Sequence, residues 1–161
     1  MIPMKNSVKT GFSFGLTSGI ITTLGLMIGL HSGTHSRSAV MGGILTIAIA
    51  DAFSDALGIH ISEESRNAHG AKEVWESTLA TFATKFIVAL SFIGPVVLLP
   101  LATAMVVSIL WGVSLLTALS IHLANQQRIP RWKVAMEHVL IAGVVVVLTH
   151  YVGKWIAESL H

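Results

Sequence analysis

The 161-residue sequence contains no cysteine, which removes disulfides, thiolate metal sites and thiol-based catalysis. Charge is nearly as scarce. Lys, Arg, Asp and Glu make up 11% of the chain, against about 25% in an ordinary soluble domain. The chain also lacks a GxxxxGK[ST] phosphate loop, an HExxH zinc pair and a GxSxG nucleophile turn. The expectation is therefore a protein that is not an enzyme and carries no resident cofactor. A membrane enzyme built on paired carboxylates and a histidine would need a substrate pocket that the sequence does not locate. What fills the chain is hydrocarbon: 53% of residues are hydrophobic and the mean hydropathy is +0.75. A soluble domain of this length still leaves roughly 30% of its unfolded-chain surface in water, which so apolar a composition does not suit. The expected fold is an all-α integral membrane protein in a single transmembrane domain.

Five apolar runs approach the ~20 residues needed to cross a bilayer, at about 12–30, 39–61, 79–99, 101–123 and 137–158. The third and fourth are almost continuous. Proline removes a backbone donor and disfavours helix in the residue before it, so "FIGPVVLLPLA" predicts a tight reversal near Pro100. The N-terminal run is too long for the apolar core of a signal peptide, and "HSGTHSRS" is no cleavage site; it is read as the first span. Lys5, Lys9, Arg66, Lys72, Arg128, Arg131 and Lys133 fall on one side of a five-span topology, and Arg37 and Lys154 on the other. The positive-inside rule then places the N-terminus in the cytoplasm and the C-terminus outside, with a short cytoplasmic connector over 62–78. Lys85, inside the third span, is expected to snorkel toward the cytosolic surface. The basic loop "NQQRIPRWK" lies beside the membrane and suits anionic lipid, not nucleic acid.

Small residues recur at helical spacing. Gly11, Gly15 and Gly19, then Gly25, Gly29 and Gly33, form stripes that let helix backbones approach closely in lipid. The first span should be central and crowded, either through plain close packing or because it lines a dimer interface or a substrate path. Asp51 and Asp55 ask for a stronger reason. An ionised carboxylate deep in a bilayer costs several kcal/mol, and such residues usually face a protein interior or a polar path. Four residues apart, the two share one helix face. Repulsion within the pair calls for a balancing proton until a cation displaces it, which is the coupling a proton-exchanging carrier uses. Buried carboxyls hydrogen bonded to Ser18, Thr22 and Thr23 are the structural alternative.

The ordered set "TSGIITTLGLMIG", "IADAFSDALGIHISEES", "GPVVLLPLA" and "EHVLIAGVVVVLTHYVGKWI" resembles the vacuolar iron transporter family, also called the calcium-cross-complementer type, of iron and manganese transporters. The likeness covers nearly the whole chain. It implies a homodimer in which the first span lines a pathway at the dimer interface and divalent metal leaves the cytosol, plausibly in exchange for protons. Where the family has an Asp-Gly pair in the first span, this sequence has Ser18 and Gly19; where it often has methionine in the second span, this sequence has Asp55. The resemblance thus implies that a carboxylate has moved across the pathway, and Ser18 and Asp55 fall at similar depth if the helices run antiparallel. The expected metal ligands are Asp55, Asp51, Ser18 and Thr22, with divalent metal as substrate. A carboxylate in place of a thioether favours manganese, magnesium or calcium over softer ions.

The family's long cytoplasmic metal-binding domain is reduced here to "SEESRNAHGAKEVWEST". There, Glu63, Glu64, His69, Glu73 and Glu76 either collect metal at a cytosolic entry or decorate a solvated connector with pairs such as Glu63 near Arg66 and Lys72 near Glu76. His150 is a candidate proton relay; His31, His35, His60, His122 and His138 read as interfacial anchors. Trp75, Trp132 and Trp155 mark the membrane interfaces. The reading is a homodimeric manganese or iron exporter of a prokaryotic plasma membrane, partnered by protons and lipid. A non-transporting scaffold that keeps the family fold, or a proton-coupled carrier of another small solute, are the alternatives.

Overall fold

The computed structural model describes residues 5–66, 70–127 and 130–159. They form six helices: α1 (Asn6–Thr34), α2 (Arg37–Ser65), α3 (Ala71–Ser91), α4 (Ile93–Leu98), α5 (Leu101–Gln127) and α6 (Arg131–Ser159). With α4 prolonging α3, these make five candidate spans, each long and apolar enough to cross a membrane. One end of the bundle, the near end, holds the start of α1, the end of α2 and the start of α3. The far end holds the α1–α2 and α4–α5 turns and the end of α6. The connector expected over 62–78 is largely helical, because α2 runs on to Ser65 and α3 begins at Ala71.

The helix ends follow from local chemistry. At the far end α1 stops at His35, which takes a left-handed conformation (φ 51°), and Ser36 then accepts the Ala39 N–H to start α2. At the near end the Glu73 carboxylate accepts the Gly70 N–H, while Glu73 N–H bonds Gly70 O, closing the first turn of α3. The reversal expected near Pro100 is present: Leu99 is extended (φ −119°, ψ 160°), as a residue before proline should be, and α5 begins at Leu101. The break leaves carbonyls at the end of α4 with no helical partner. Arg37, at the first position of α2, supplies it: Nη1 donates to Val96 O (2.6 Å) and Val97 O (3.1 Å), and Nη2 to Leu99 O (2.8 Å).

α1 is the hub and packs on α2, α3, α5 and α6. Its two glycine stripes serve different partners. Gly11, Gly15 and Gly19 lie on the backbone of Ser77, Thr81 and Lys85 in α3, and a Cβ on Gly15 would sit 2.6 Å from Thr81 O. Gly25, Gly29 and Gly33 face Val145, Thr149 and Gly153 of α6, which runs parallel to α1; a Cβ on Gly153 would collide with Gly29 O. With no hydrophobic drive between helices in lipid, this close approach is what holds them together. Ile20, Leu24 and Met27 fill the centre with Ile44, Phe92 and Leu116. Met27 is thus part of the core.

Imidazoles tie the near end. His60 Nδ1 lies 2.9 Å from Thr78 Oγ1, whose own proton goes to Val74 O, so the ring nitrogen is the donor; His138 Nδ1 and Ser120 Oγ (2.8 Å) repeat the arrangement between α6 and α5. Trp75, Trp132 and Trp155 are all exposed on the outer surface, as belt residues should be.

Gly15→Ala is expected to destabilise the bundle by about 1–3 kcal/mol through overpacking against α3. Gly143→Ala, where a Cβ would meet nothing within 4 Å, should leave stability unchanged or raise it. Thermal unfolding in detergent, read by circular dichroism, checks both.

Candidate functional site

Halfway along the bundle, α1, α2 and α3 each contribute polar groups to one cluster. Asp51 and Asp55 lie one turn apart on α2, and Ala48, Ala52 and Ala56, buried on the same helix, let it approach its neighbours. From α3 the Lys85 side chain enters between the carboxylates and is 1% exposed. Its stem passes over Gly19, where a Cβ would lie 3.3 Å from Lys85 Cα and Cγ, so that glycine makes the room. The ammonium has three donors and three partners: Asp51 Oδ2 at 2.6 Å, Asp55 Oδ2 in a short charged hydrogen bond, and Ser18 Oγ at 2.9 Å. Ser18 in turn donates to Asp55 Oδ2 at 2.6 Å. The contact with Asp51 is an ion pair whose angle is too poor for a hydrogen bond, and no other donor reaches that oxygen.

Two carboxylates and one ammonium leave a formal charge of −1 in a region otherwise lined by hydrocarbon. The lysine is sealed inside the protein, whereas Asp51 and Asp55 keep 28% and 20% of their side-chain surface exposed. Asp51 opens onto a groove of about 580 Å³ between α1 and α2, lined by Thr22, Leu26, Gly43, Thr46 and Ile47 among others. A second groove of about 720 Å³ runs along the other flank of α1 beside α6 and shares Thr22 and Leu26 with the first. The cluster is thus closed toward the core and open toward the outer face of α1.

Of the residues singled out as metal ligands, Asp55, Asp51 and Ser18 come together. Thr22 donates to Ser18 O (2.8 Å) and lines the groove without touching the carboxylates' lysine. The cation between the carboxylates is Lys85. It does not snorkel to the surface as expected, because Ser18 and the two aspartates reward its staying inside, and it takes the balancing role expected of a proton. One signal in the sequence points to it: Ser77, Thr81 and Lys85 repeat every four residues along α3 and form a buried polar stripe facing the α1 glycines.

Of the residues proposed for a cytosolic entry, the four that are described do not converge. Glu76 is held by Lys5 Nζ (2.7 Å) and Ser7 Oγ (2.9 Å); Glu73 closes the first turn of α3; Glu63 is buried with Arg66 Nη1 at 3.3 Å; Glu64 is exposed. His69 lies outside the described residues. Among the described residues no group of three His, Asp or Glu side chains is arranged to hold a metal ion. His150 lies at the far end, its Nδ1 2.7 Å from Ser32 Oγ. Compared with protein-family models, with curated proteins and with solved structures, the chain gives no match.

Lys85→Met removes the cation that lies between the carboxylates and is expected to cost roughly 3 kcal/mol, the low end for a broken buried pair because the carboxylates keep some exposure. Combining it with Asp51→Asn and Asp55→Asn should recover most of that loss. Chemical unfolding of the purified variants in one detergent measures the difference.

Proposed function

We propose that this chain is a membrane carrier that moves a divalent cation, manganese or iron, out of the cytosol in exchange for protons, with Asp51 and Asp55 as the cation's seat. The observation that carries the reading is a pair of carboxylates halfway through the bundle, open on one side to a groove and balanced on the other by an internal lysine. A seat of this kind need never stand empty. When cargo is absent Lys85 compensates the carboxylates, and when a cation arrives from the groove it competes with the ammonium for the same oxygens. Bare carboxylates in hydrocarbon, the costliest state, are avoided at both stages. Ser18 and Thr22 offer hard oxygen donors, which suit manganese or magnesium better than soft ions.

In the proposed orientation the near end is cytosolic and the membrane is a prokaryotic plasma membrane. A second copy of the chain would face the open flank of α1 and close the grooves into a shared pathway. The resemblance to the vacuolar iron transporter family supports both the cargo and the dimer. A non-transporting scaffold is the competing reading, and one observation favours it: the Lys85 ammonium already contacts Asp51, Asp55 and Ser18, so both carboxylates have a counter-ion without any cargo.

Flux decides between them. Proteoliposomes containing the wild-type protein and an internal pH dye should show saturable manganese or ferrous ion movement with an opposite proton flux. Asp55→Asn should abolish both while remaining folded. A folded wild-type protein that moves neither ion would sink the carrier reading and leave the ion pair as a structural device.

A further inference from the structure

Three imidazoles gather at the far end of the bundle, well away from Lys85. His31 and His35 are one turn apart in α1, with ring centroids 5.4 Å apart. His150 comes from α6, hydrogen bonded through Nδ1 to Ser32 Oγ of α1, and His31 lies within electrostatic reach of both other rings. One atom stands out: His31 Nδ1 is buried and has no hydrogen-bond partner. A buried ring nitrogen without a partner is best left as a bare lone pair, with the ring's proton on Nε2. A proton taken up there would sit buried, unpartnered and beside two other imidazoles, and among the described residues no group of three ligands is arranged to hold a metal ion instead.

We infer that His31 and His150 form a proton-binding site that controls the seam between α1 and α6. The seam is built from backbone on backbone, Gly29 and Gly33 against Gly153, so it depends on very close approach and has few side chains to bridge a gap. A proton on His31, which is partly buried, and another on His150, which is exposed, put like charges on opposite sides of it. The other charged groups at this end do little to compensate. From α2, Arg37 is cationic and spent on the α4 carbonyls; from α6, Lys154 is cationic and sits 3.7 Å from Glu158, and the Tyr151 ring packs edge-on to His150. α5 brings no ionisable side chain between Leu101 and Ser120. Charging therefore loosens the seam as pH falls through the imidazole range, and the neutral rings keep it closed above that range. Counting ~1.5 Å per residue from Ser18 to His31, the site lies roughly 20 Å along α1 from the carboxylates, and the inference does not depend on what they bind.

The full chain in lipid nanodiscs, with isotope-labelled histidine, tests this directly by nuclear magnetic resonance from about pH 8 to about pH 5. His31 and His150 should both take up protons over that interval, and replacing His150 by Gln should make His31 easier to protonate. In parallel, the thermal midpoint of the wild type should fall on acidification, and the double variant His31→Gln/His150→Gln should lose at least half of that fall. Asp55→Asn should keep it in full, which separates this site from the carboxylate seat. Rings that stay neutral to about pH 5, or an acid-induced fall unchanged in the double variant, would overturn the inference. Should the double variant not fold, the wild-type titration decides alone: proton uptake by both rings supports the site, and neutral rings overturn it.

Discussion

An ionised side chain in a bilayer interior has to be answered by another, and in this protein Lys85 and the two aspartates of α2 answer each other. The requirement reaches outward from the cluster. For the ammonium to meet both carboxylates and Ser18, α3 must lie close against α1, and that closeness rests on Gly11 and Gly15, where a Cβ would run into α3 backbone, with Gly19 leaving room beside Lys85. α2 in turn must present Asp51 and Asp55 on the face where Ala48, Ala52 and Ala56 permit a tight fit. The small-residue stripes and the charged cluster are one design seen at two scales.

Polar groups elsewhere obey the same rule with weaker partners. Hydroxyls of Thr78 and Ser120 give their protons to carbonyls one turn back and receive one from a histidine on the neighbouring helix, so each bridge is satisfied without water. Arg37 does the same for the broken end of α4. The exceptions among the described residues are few: Asp51 Oδ2, which has only its ion pair with Lys85, then Thr23 Oγ1, Ser108 Oγ and His31 Nδ1, and the last lies beside two other imidazoles.

Much of the architecture is legible in the sequence because the bilayer imposes length and polarity on every span. Apolar runs locate the five spans, and Pro100 marks the reversal. The Gly11 and Gly25 stripes identify α1 as the crowded helix, and the antiparallel depth argument places Ser18 beside Asp55. Boundaries are harder, since helices extend past the hydrocarbon into polar sequence that hydropathy does not see; α2 continues to Ser65 through two glutamates. The site is half legible. Asp51 and Asp55 stand out because carboxylates are costly in lipid, but a lysine has two ways to avoid that cost, and only tertiary packing chooses between reaching the surface and finding a partner inside. The glutamates of the connector illustrate the converse: helical spacing puts Glu73 and Glu76 close together, yet capping and the Lys5 pair give each a separate task.

α1 also has a consequence for synthesis. It is the first of these helices to leave the ribosome, yet its two halves wait for different neighbours: residues 11–19 for α3, and residues 25–33 for α6, the last helix described. Throughout the making of α2 to α5, the second glycine stripe stands in the membrane with no permanent partner, and the bundle reaches its final form only when α6 slides in alongside a helix made more than a hundred residues earlier.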